Sequence, residues 1–562
     1  MVTFDESKQK KQLDELRKKE EEKLVEMLSV KYGIPYIDLK TTPINTRALL
    51  IIKEEEAKDS TLAVFDVKGK KIKVAIFSPN NDKTQEGLRA LEDKGFKIDL
   101  YMTSHAGLEH VWERYKDVTE TQKTEAGVLS ISSEEVGNTA EKYKNIDSIG
   151  KAIEESLKSK DLHRVSKVFE IILGGAISMG VSDIHTDPQE KTVRLRYRLD
   201  GILQDVAFLD HKTYHLLISR IKLLSGLKLN VTSDTQDGRF SIKIKGISIE
   251  IRTSILPGPY AEAAVLRILN PKSISVPLEE LGIEQRLLDI LSKEVKRPNG
   301  MILNTGPTGS GKTTTLYAFL RKIYNPEIKI ITIEDPIEYH IKGITQTQVD
   351  AKTNYTFLSG LRAALRQDPD VIMIGEIRDG ETARIAVNSA LTGHLVLSTL
   401  HTNTAAGAIP RLIDLGIDPK VLSSALNVAI AQRLVRKLCT HCKKEYTPNE
   451  RELGIIKRTL ESAKNKRKDE NLDFDPTKIW TSAGCGKCNN TGYKGRLGVY
   501  EAIRMDEKIE AILKENPNEQ EIKEAAKDQG IFDMREDGVI KVLKGTTTIN
   551  ELERVIELDY DL

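Results

Sequence analysis

Residues 306–313, Gly-Pro-Thr-Gly-Ser-Gly-Lys-Thr, place glycines, a lysine and a hydroxyl at the GxxxxGKT spacing of a phosphate-binding loop. Gly306, Gly309 and Gly311 allow a tight turn. With Pro307, Thr308 and Ser310 between them, they let successive N–H groups point inward at phosphate oxygens, and a helix opening at Thr314 adds its positive dipole end. Lys312 is placed to reach the β- and γ-phosphates of ATP, and the Thr313 hydroxyl to ligate magnesium. A merely structural glycine loop is the alternative. The apolar strand Met301–Leu303 before the loop and the helix-compatible stretch Thr314–Ile323 after it argue against that.

Three further apolar runs end in polar residues. In open parallel sheets ligands bind at the carboxyl ends of strands, so the residues after each run matter most. Lys329–Ile333 leads into Glu334-Asp335-Pro336, and Val371–Ile374 into Gly375-Glu376. Leu395–Leu400, bracketed by His394 and His401, leads into Thr402-Asn403-Thr404. This arrangement predicts carboxylates and imidazoles beside the loop. Phosphoryl transfer to water needs magnesium, an acid that orients the water and cations for the developing charge. Glu376 suits the magnesium shell with Thr313, and Glu334 the polarisation of water, but the residues alone leave these roles interchangeable. Taken singly, Glu334-Asp335-Pro336 also reads as a helix N-cap, and the histidines as structural hydrogen-bonders.

The four cysteines form two CxxC pairs, Cys439 with Cys442 and Cys485 with Cys488. In a reducing compartment this pairing suits a tetrahedral zinc site rather than disulfides. Residues 443–484 separate the pairs, more than the about 15 to 20 residues usual in a zinc ribbon, so an inserted segment is expected.

The elements that must position these groups are readable in outline. A chain of 562 residues exceeds one hydrophobic core. Residues 1–24 read as a charged arm, 25–117 as a small α+β domain and 118–147 as a polar linker. Residues 148–275 form a middle domain, expected to open with one helix from Ile149 to Met179 and to contain strands at Thr192–Leu199 and Phe240–Thr253. Residues 280–505 alternate strand and helix at βαβ spacing, predicting an α/β fold with a mainly parallel sheet and an inserted cysteine module at 436–495. Residues 506–562 read as helical.

Charge excludes some functions. With 85 Lys plus Arg against 84 Asp plus Glu, the net charge of +1 creates no global field favouring nucleic acid or an anionic membrane. No run approaches the about 20 apolar residues of a membrane span; Val168–Val181 is short and carries Glu170. Met1–Leu24 lacks the apolar centre of a secretory signal, so a cytoplasmic location is expected.

These motifs together resemble the secretion ATPases that power type IV pilus assembly and type II secretion. The resemblance rests on GPTGSGKTTTLY, ITIEDPIEY, LRQDPDVIMIGEIRD and LTGHLVLSTLHTN. It extends to SDIHTDP at Ser182–Pro188, QDGR at Gln236–Arg239, the cysteine pairs, GRLGVYE and EDGVIKVLKGTTT. It implies a RecA-like ATPase domain behind a PAS-like middle domain, assembled as a homohexamer peripheral to the inner membrane. The implied partners are a membrane platform protein and other pilus or secretion components, without direct nucleic-acid contact. It also implies that Arg252 and Arg267 point from the middle domain at the nucleotide, where a permanently charged planar fork suits phosphate. The family's Gly-Glu-Lys-like stretch is here Tyr260-Ala261-Glu262-Ala263-Ala264. The cysteine module matches assembly and secretion motors and is absent from the retraction motor. YGIPYIDL at Tyr32–Leu39 resembles the family's regulatory domain, and residues 1–60 lack the RLG-type motif with which some such domains bind a cyclic dinucleotide. A nucleic-acid-associated P-loop ATPase with a zinc ribbon is the alternative, opposed by the few aromatics near the cysteines. A third reading is a scaffold whose assembly state ATP fixes.

Overall fold

Short runs of β-branched and aromatic residues near the start of the chain predict strands, and strands form there. The computed structural model describes residues 21–558 except 43, 50, 53, 69–70, 94, 118–127, 130–141, 144, 160–163, 245–246, 272–275, 351–352, 469 and 471. The chain divides into two compact units, one of Met1–Ser133 with Phe240–Gly246 and one of the rest. In the first, strands β1 (Leu62–Lys68) and β2 (Lys71–Ile76) pair antiparallel. Helix α1 (Asp82–Asp93) crosses over to β3 (Lys97–Met102), which pairs parallel to β2 as such a crossover requires, and α2 (His105–Glu113) follows. Leu62, Val64, Val74, Ile76 and Val111 form its core. The expected arm at 1–24 lies outside the described residues up to 20, and most of the linker at 118–147 lies outside them too.

The second unit opens with two helices, α3 (Ile146–Lys158) and α4 (Arg164–Ser178), where one was expected. Asn145 caps α3 by accepting from the Ser148 N–H, and the backbone becomes extended at Ser159. The sequence there, Lys158-Ser159-Lys160-Asp161, has nothing apolar to bury, so a continuous amphipathic stripe fails. Next come β4 (Asp183–Pro188), β5 (Val193–Leu199), β6 (Ile202–Leu209), α5 (His211–Leu224), β7 (Gln236–Ile244), whose residues from Phe240 onward belong to the first unit, β8 (Ile247–Leu256) and β9 (Ala263–Leu269). The strand expected at Phe240–Thr253 is thus two, because Lys245-Gly246 interrupts the alternation. Strands β8, β9, β4, β5 and β6 are neighbours in that order, all antiparallel.

A seven-stranded sheet follows in the same unit. Its strands are β10 (Gly300–Thr305), β11 (Ile330–Glu334), β12 (Thr345–Gln348), β13 (Val371–Ile374), β14 (Leu395–Leu400), β15 (Leu426–Leu438) and, beyond the cysteine module, β18 (Tyr493–Arg504). Their order is β12-β11-β13-β14-β10-β15-β18, parallel except for β15 with β18. Every residue of β10, β11, β13 and β14 is buried, which is why they are mainly apolar, with Asn304, Thr305, Thr332, Glu334, Ser398 and Thr399 as buried polar exceptions. Helices α6 (Gln285–Glu294) and α7 (Lys312–Ile323) contribute Leu291, Leu316 and Phe319 to the core on one face. Helix α8 (Phe357–Ala364) and α9 (Gly380–Leu391) contribute Leu361, Ala386 and Val387 to the core on the other.

The segment between the cysteine pairs contains β16 (Lys443–Tyr446), α10 (Glu450–Lys466) and β17 (Ile479–Ser482). Arg467 ties it down. Only 1% exposed, its guanidinium pairs with Glu284 (2.7 Å) and Glu470 (2.9 Å) and donates to the Gly530 carbonyl (2.6 Å). It also stacks on the Phe532 ring at 3.5 Å. A buried charge needs this full set of partners. Helices α11 (Glu507–Leu513), α12 (Glu519–Ala526), α13 (Met534–Leu543) and α14 (Ile549–Glu553) complete the described chain. No described helix is long and apolar enough to cross a membrane.

Candidate nucleotide site and cysteine cage

Strand β10 delivers the glycine loop to the sheet's carboxyl edge. Thr305, its last residue, donates through Oγ1 to the Thr402 carbonyl (2.8 Å) and accepts from the Thr402 N–H (2.9 Å), stitching the loop to the segment after β14. Gly306, Gly309 and Gly311 have φ of 147°, 79° and 92°, the left-handed region that side chains resist. Pro307, Thr308 and Gly309 are exposed, Ser310 is buried, and Thr313 and Thr314 lie half-buried in the first turn of α7. Lys312 Nζ donates to the carbonyls of Gly306 (2.7 Å) and Pro307 (3.0 Å), so the ammonium sits within the loop. Burial draws the Lys312 pKa down, while the charge of Glu376 opposes that shift.

Glu376 follows β13. Its carboxylate accepts from His401 Nε2 (3.1 Å) and pairs with Arg378, which also reaches Asp335 (3.6 Å). Burial acts to raise the Glu376 carboxyl, but Arg378 and His401 outweigh it and hold it below the usual glutamate range. Lys312, Glu376 and His401 are therefore gathered at one edge.

Glu334 ends β11 and is buried. It accepts from Tyr317 on α7, from Thr332 and from Gln346 Nε2 (3.0 Å), a donor set that fixes its orientation. Burial and then the Glu334 charge push the Tyr317 hydroxyl far above its ordinary range. No described helix starts at Glu334-Asp335-Pro336, so the helix-cap reading is set aside.

His394 is not at this edge. It precedes Leu395, which pairs with Gly300 at the start of β10, whereas Leu400 pairs with Thr305 at its end. Six residues of strand separate it from His401, about 20 Å. His394 Nδ1 instead lies 3.1 Å from the Ser389 carbonyl. The bracketing histidines look equivalent in sequence, but a strand has two ends and only one faces the loop.

Arg252 on β8 and Arg267 on β9 are directly opposite in register. Arg252 donates to the Ile337 carbonyl (2.6 Å) and lies 3.6 Å from Glu338, in the segment after Glu334. Arg267 bonds Asp183 (2.9 Å) with its side chain largely exposed. Burial raises the Glu338 carboxyl, while Arg252 and Arg267 pull it down and Glu334 adds to the rise, so these four charges converge. Glu338 was present in the ITIEDPIEY segment but nothing in its type distinguished it. Glu262 forms a buried pair with Lys222 (2.6 Å), anchoring the altered Tyr260–Ala264 stretch to α5.

The four cysteine Sγ atoms lie within 4.8 Å of one another. The separations are 3.9 Å for Cys439 to Cys485, 3.8 Å for Cys442 to Cys488 and 3.7 Å for Cys485 to Cys488. Four thiolates about 2.3 Å from a tetrahedral zinc would stand about 3.8 Å apart, so the cage fits that ion. Burial acts to raise the Cys488 thiol, but N–H groups of Cys485 and Gly492 bring it down to about 7, whereas Cys442, despite the Ser482 hydroxyl, is pushed up to about 11 by burial and its neighbouring thiols, so four thiolates together call for a cation among them.

A glycine loop between a buried parallel strand and a helix, with carboxylates from adjacent strand ends, defines a P-loop ATPase. The chain belongs to the type II/IV secretion system protein family, whose model matches residues 158–554. It is 44% identical over 405 residues to type II secretion system protein E of Pseudomonas aeruginosa, covering 72% of this chain and 77% of that one. It is 35% identical over 539 residues to the type IV pilus assembly ATPase PilB of Myxococcus xanthus, covering 95% and 91%. Among solved structures, the ATPase DotB of Legionella pneumophila aligns over 71% of this chain and 97% of its own, with a TM-score of 0.50 at 20% identity, a likeness of fold.

Proposed function

We propose that this chain is a homohexameric motor that couples ATP hydrolysis to movement of its middle domain. In this reading it drives an inner-membrane platform protein in pilus assembly or type II secretion, from the cytoplasmic side. The observation that carries the coupling is Arg252. From the middle domain it bonds the backbone of Ile337, three residues beyond Glu334, so the segment after β11 links the nucleotide edge to the antiparallel sheet. In this reading the loop from Gly306 to Thr314 holds ATP, Thr313 and Glu376 hold magnesium, Glu334 polarises the attacking water and His401 senses the γ-phosphate. Arg252 and Arg267 supply charge to the phosphates. A pull-down of the full chain from its native membrane, with subunit identification, tests the proposal. It should recover a multi-span inner-membrane protein with pilus or secretion components, whereas recovery of nucleic acid alone would contradict it.

Zinc is the proposed occupant of the cysteine cage. The purified chain should carry about one zinc per polypeptide by elemental analysis, and Cys442→Ser should lose it and melt several degrees lower. The loop after Cys488 also holds the start of the middle domain, since Asn489 accepts from the Ile146 N–H (3.2 Å). Hydrogen exchange at α3 should therefore quicken in that variant. A zinc-free wild-type protein of full stability would contradict the assignment.

A further inference from the structure

We propose that Gln432 is a positioning residue that sets the conformation of the phosphate loop and thereby its affinity for nucleotide. Strand β15 runs parallel to β10, with Ala431 opposite Thr305, so the next residue along β15 lies against the loop rather than against the strand. Gln432 is 1% exposed. Its Oε1 accepts from Asn304 Nδ2 (3.0 Å), just before the loop, and from Thr315 Oγ1 (2.8 Å), in the first turn of the helix after it. One carboxamide thus ties together the chain entering the loop and the chain leaving it.

The same residue explains the glycines at both ends. A Cβ on Gly311 would stand 2.7 Å from Gln432 Nε2, and a Cβ on Gly306 would stand 2.6 Å from the Gln432 carbonyl. Both glycines therefore meet a packing demand as well as a φ demand. The neutral amide also matters. Two donors converge on Oε1, while Nε2 faces a loop that receives phosphate charge. A carboxylate would satisfy the donors but place a negative charge against that loop, and an aliphatic side chain would take a buried acceptor from Thr315 and leave Asn304 Nδ2 only its long bond to the Lys312 carbonyl (3.5 Å).

The proposal rests on the ATPase reading of this loop. Its test compares the full-length wild type, Gln432→Leu and Gln432→Glu by binding of fluorescent ATP, by KM and kcat for ATP between pH 6 and 9, and by melting temperature. Gln432→Leu should raise Kd and KM about tenfold at every pH, with kcat at saturating ATP changed less. Gln432→Glu should raise KM more than that at pH 8. Its KM should then fall toward the wild-type value as pH is lowered, because protonation of the buried carboxyl restores a neutral group. A role in stability alone would lower the melting temperature without this pH signature. KM within twofold of wild type in both variants, or losses confined to melting temperature and kcat, would overturn the proposal. If either variant fails to fold, Thr315→Val removes one of the two hydrogen bonds to Oε1 while keeping the shape of the buried side chain. It should raise KM about threefold with little change in melting temperature, and an unchanged KM overturns the proposal equally. Failure of the wild type itself to bind ATP would refute the nucleotide site, a separate result.

Discussion

Lys312→Ala should abolish detectable nucleotide binding: fluorescent ATP at concentrations that saturate the wild type should give no saturable signal. The Lys312 ammonium already lies inside the loop on the Gly306 and Pro307 carbonyls, so it can turn to phosphate without reorganising the backbone. Hydrogen bonds to charged groups in a sheltered site contribute about 1.5 to 3 kcal/mol each, and two of them correspond to a loss of 100-fold or more. The variant should keep its melting temperature within a few degrees, because Nζ contacts only loop carbonyls that can turn to water. Wild-type affinity in Lys312→Ala would remove the loop from the site.

Glu376→Gln should bind ATP nearly as well as the wild type but release phosphate at least about 100-fold more slowly. The substitution keeps the side chain's size and a carbonyl acceptor for His401 or Arg378, and removes the charge that a magnesium shell requires. Glu376 stands between Arg378 and His401 at the loop edge, and its carboxyl stays below the ordinary range. Any acid limb of the pH–rate profile due to this group therefore lies lower than for a free glutamate, and the wild-type rate should hold through mildly acidic pH. Phosphate release by Glu376→Gln at the wild-type rate would exclude it from the mechanism, leaving Glu334 with its three donors as the acid to examine next.

Much of this site was legible because parallel strands buried on both faces are mainly apolar. Met301–Leu303, Val371–Ile374 and Leu395–Leu400 announce themselves in that way. The edges were less legible. Strand β10 continues through Asn304 and Thr305, buried polar residues whose Nδ2 and Oγ1 donate to Gln432 and Thr402. Those partners lie far along the chain, and residue pattern does not register them. The same holds for Gln432, which looks like an ordinary polar residue near the end of a strand until the sheet brings it under the loop. His394 shows the opposite error, a residue of suggestive type placed at the wrong end by strand direction. The cysteine spacing was readable as a metal site, and the long separation is occupied by β16, α10 and β17. The break between α3 and α4 follows from a polar run too short to stand out as a loop.

Catalytic turnover of ATP at this site is measured as release of inorganic phosphate by the full-length chain. With ATP and magnesium, the wild type should release many phosphates per polypeptide at a steady rate. Chelation of magnesium should stop the release, and Lys312→Ala should lack it. Release of no more than one phosphate per chain from a folded, ATP-bound protein would contradict the claim and would make the nucleotide a structural ligand of a scaffold.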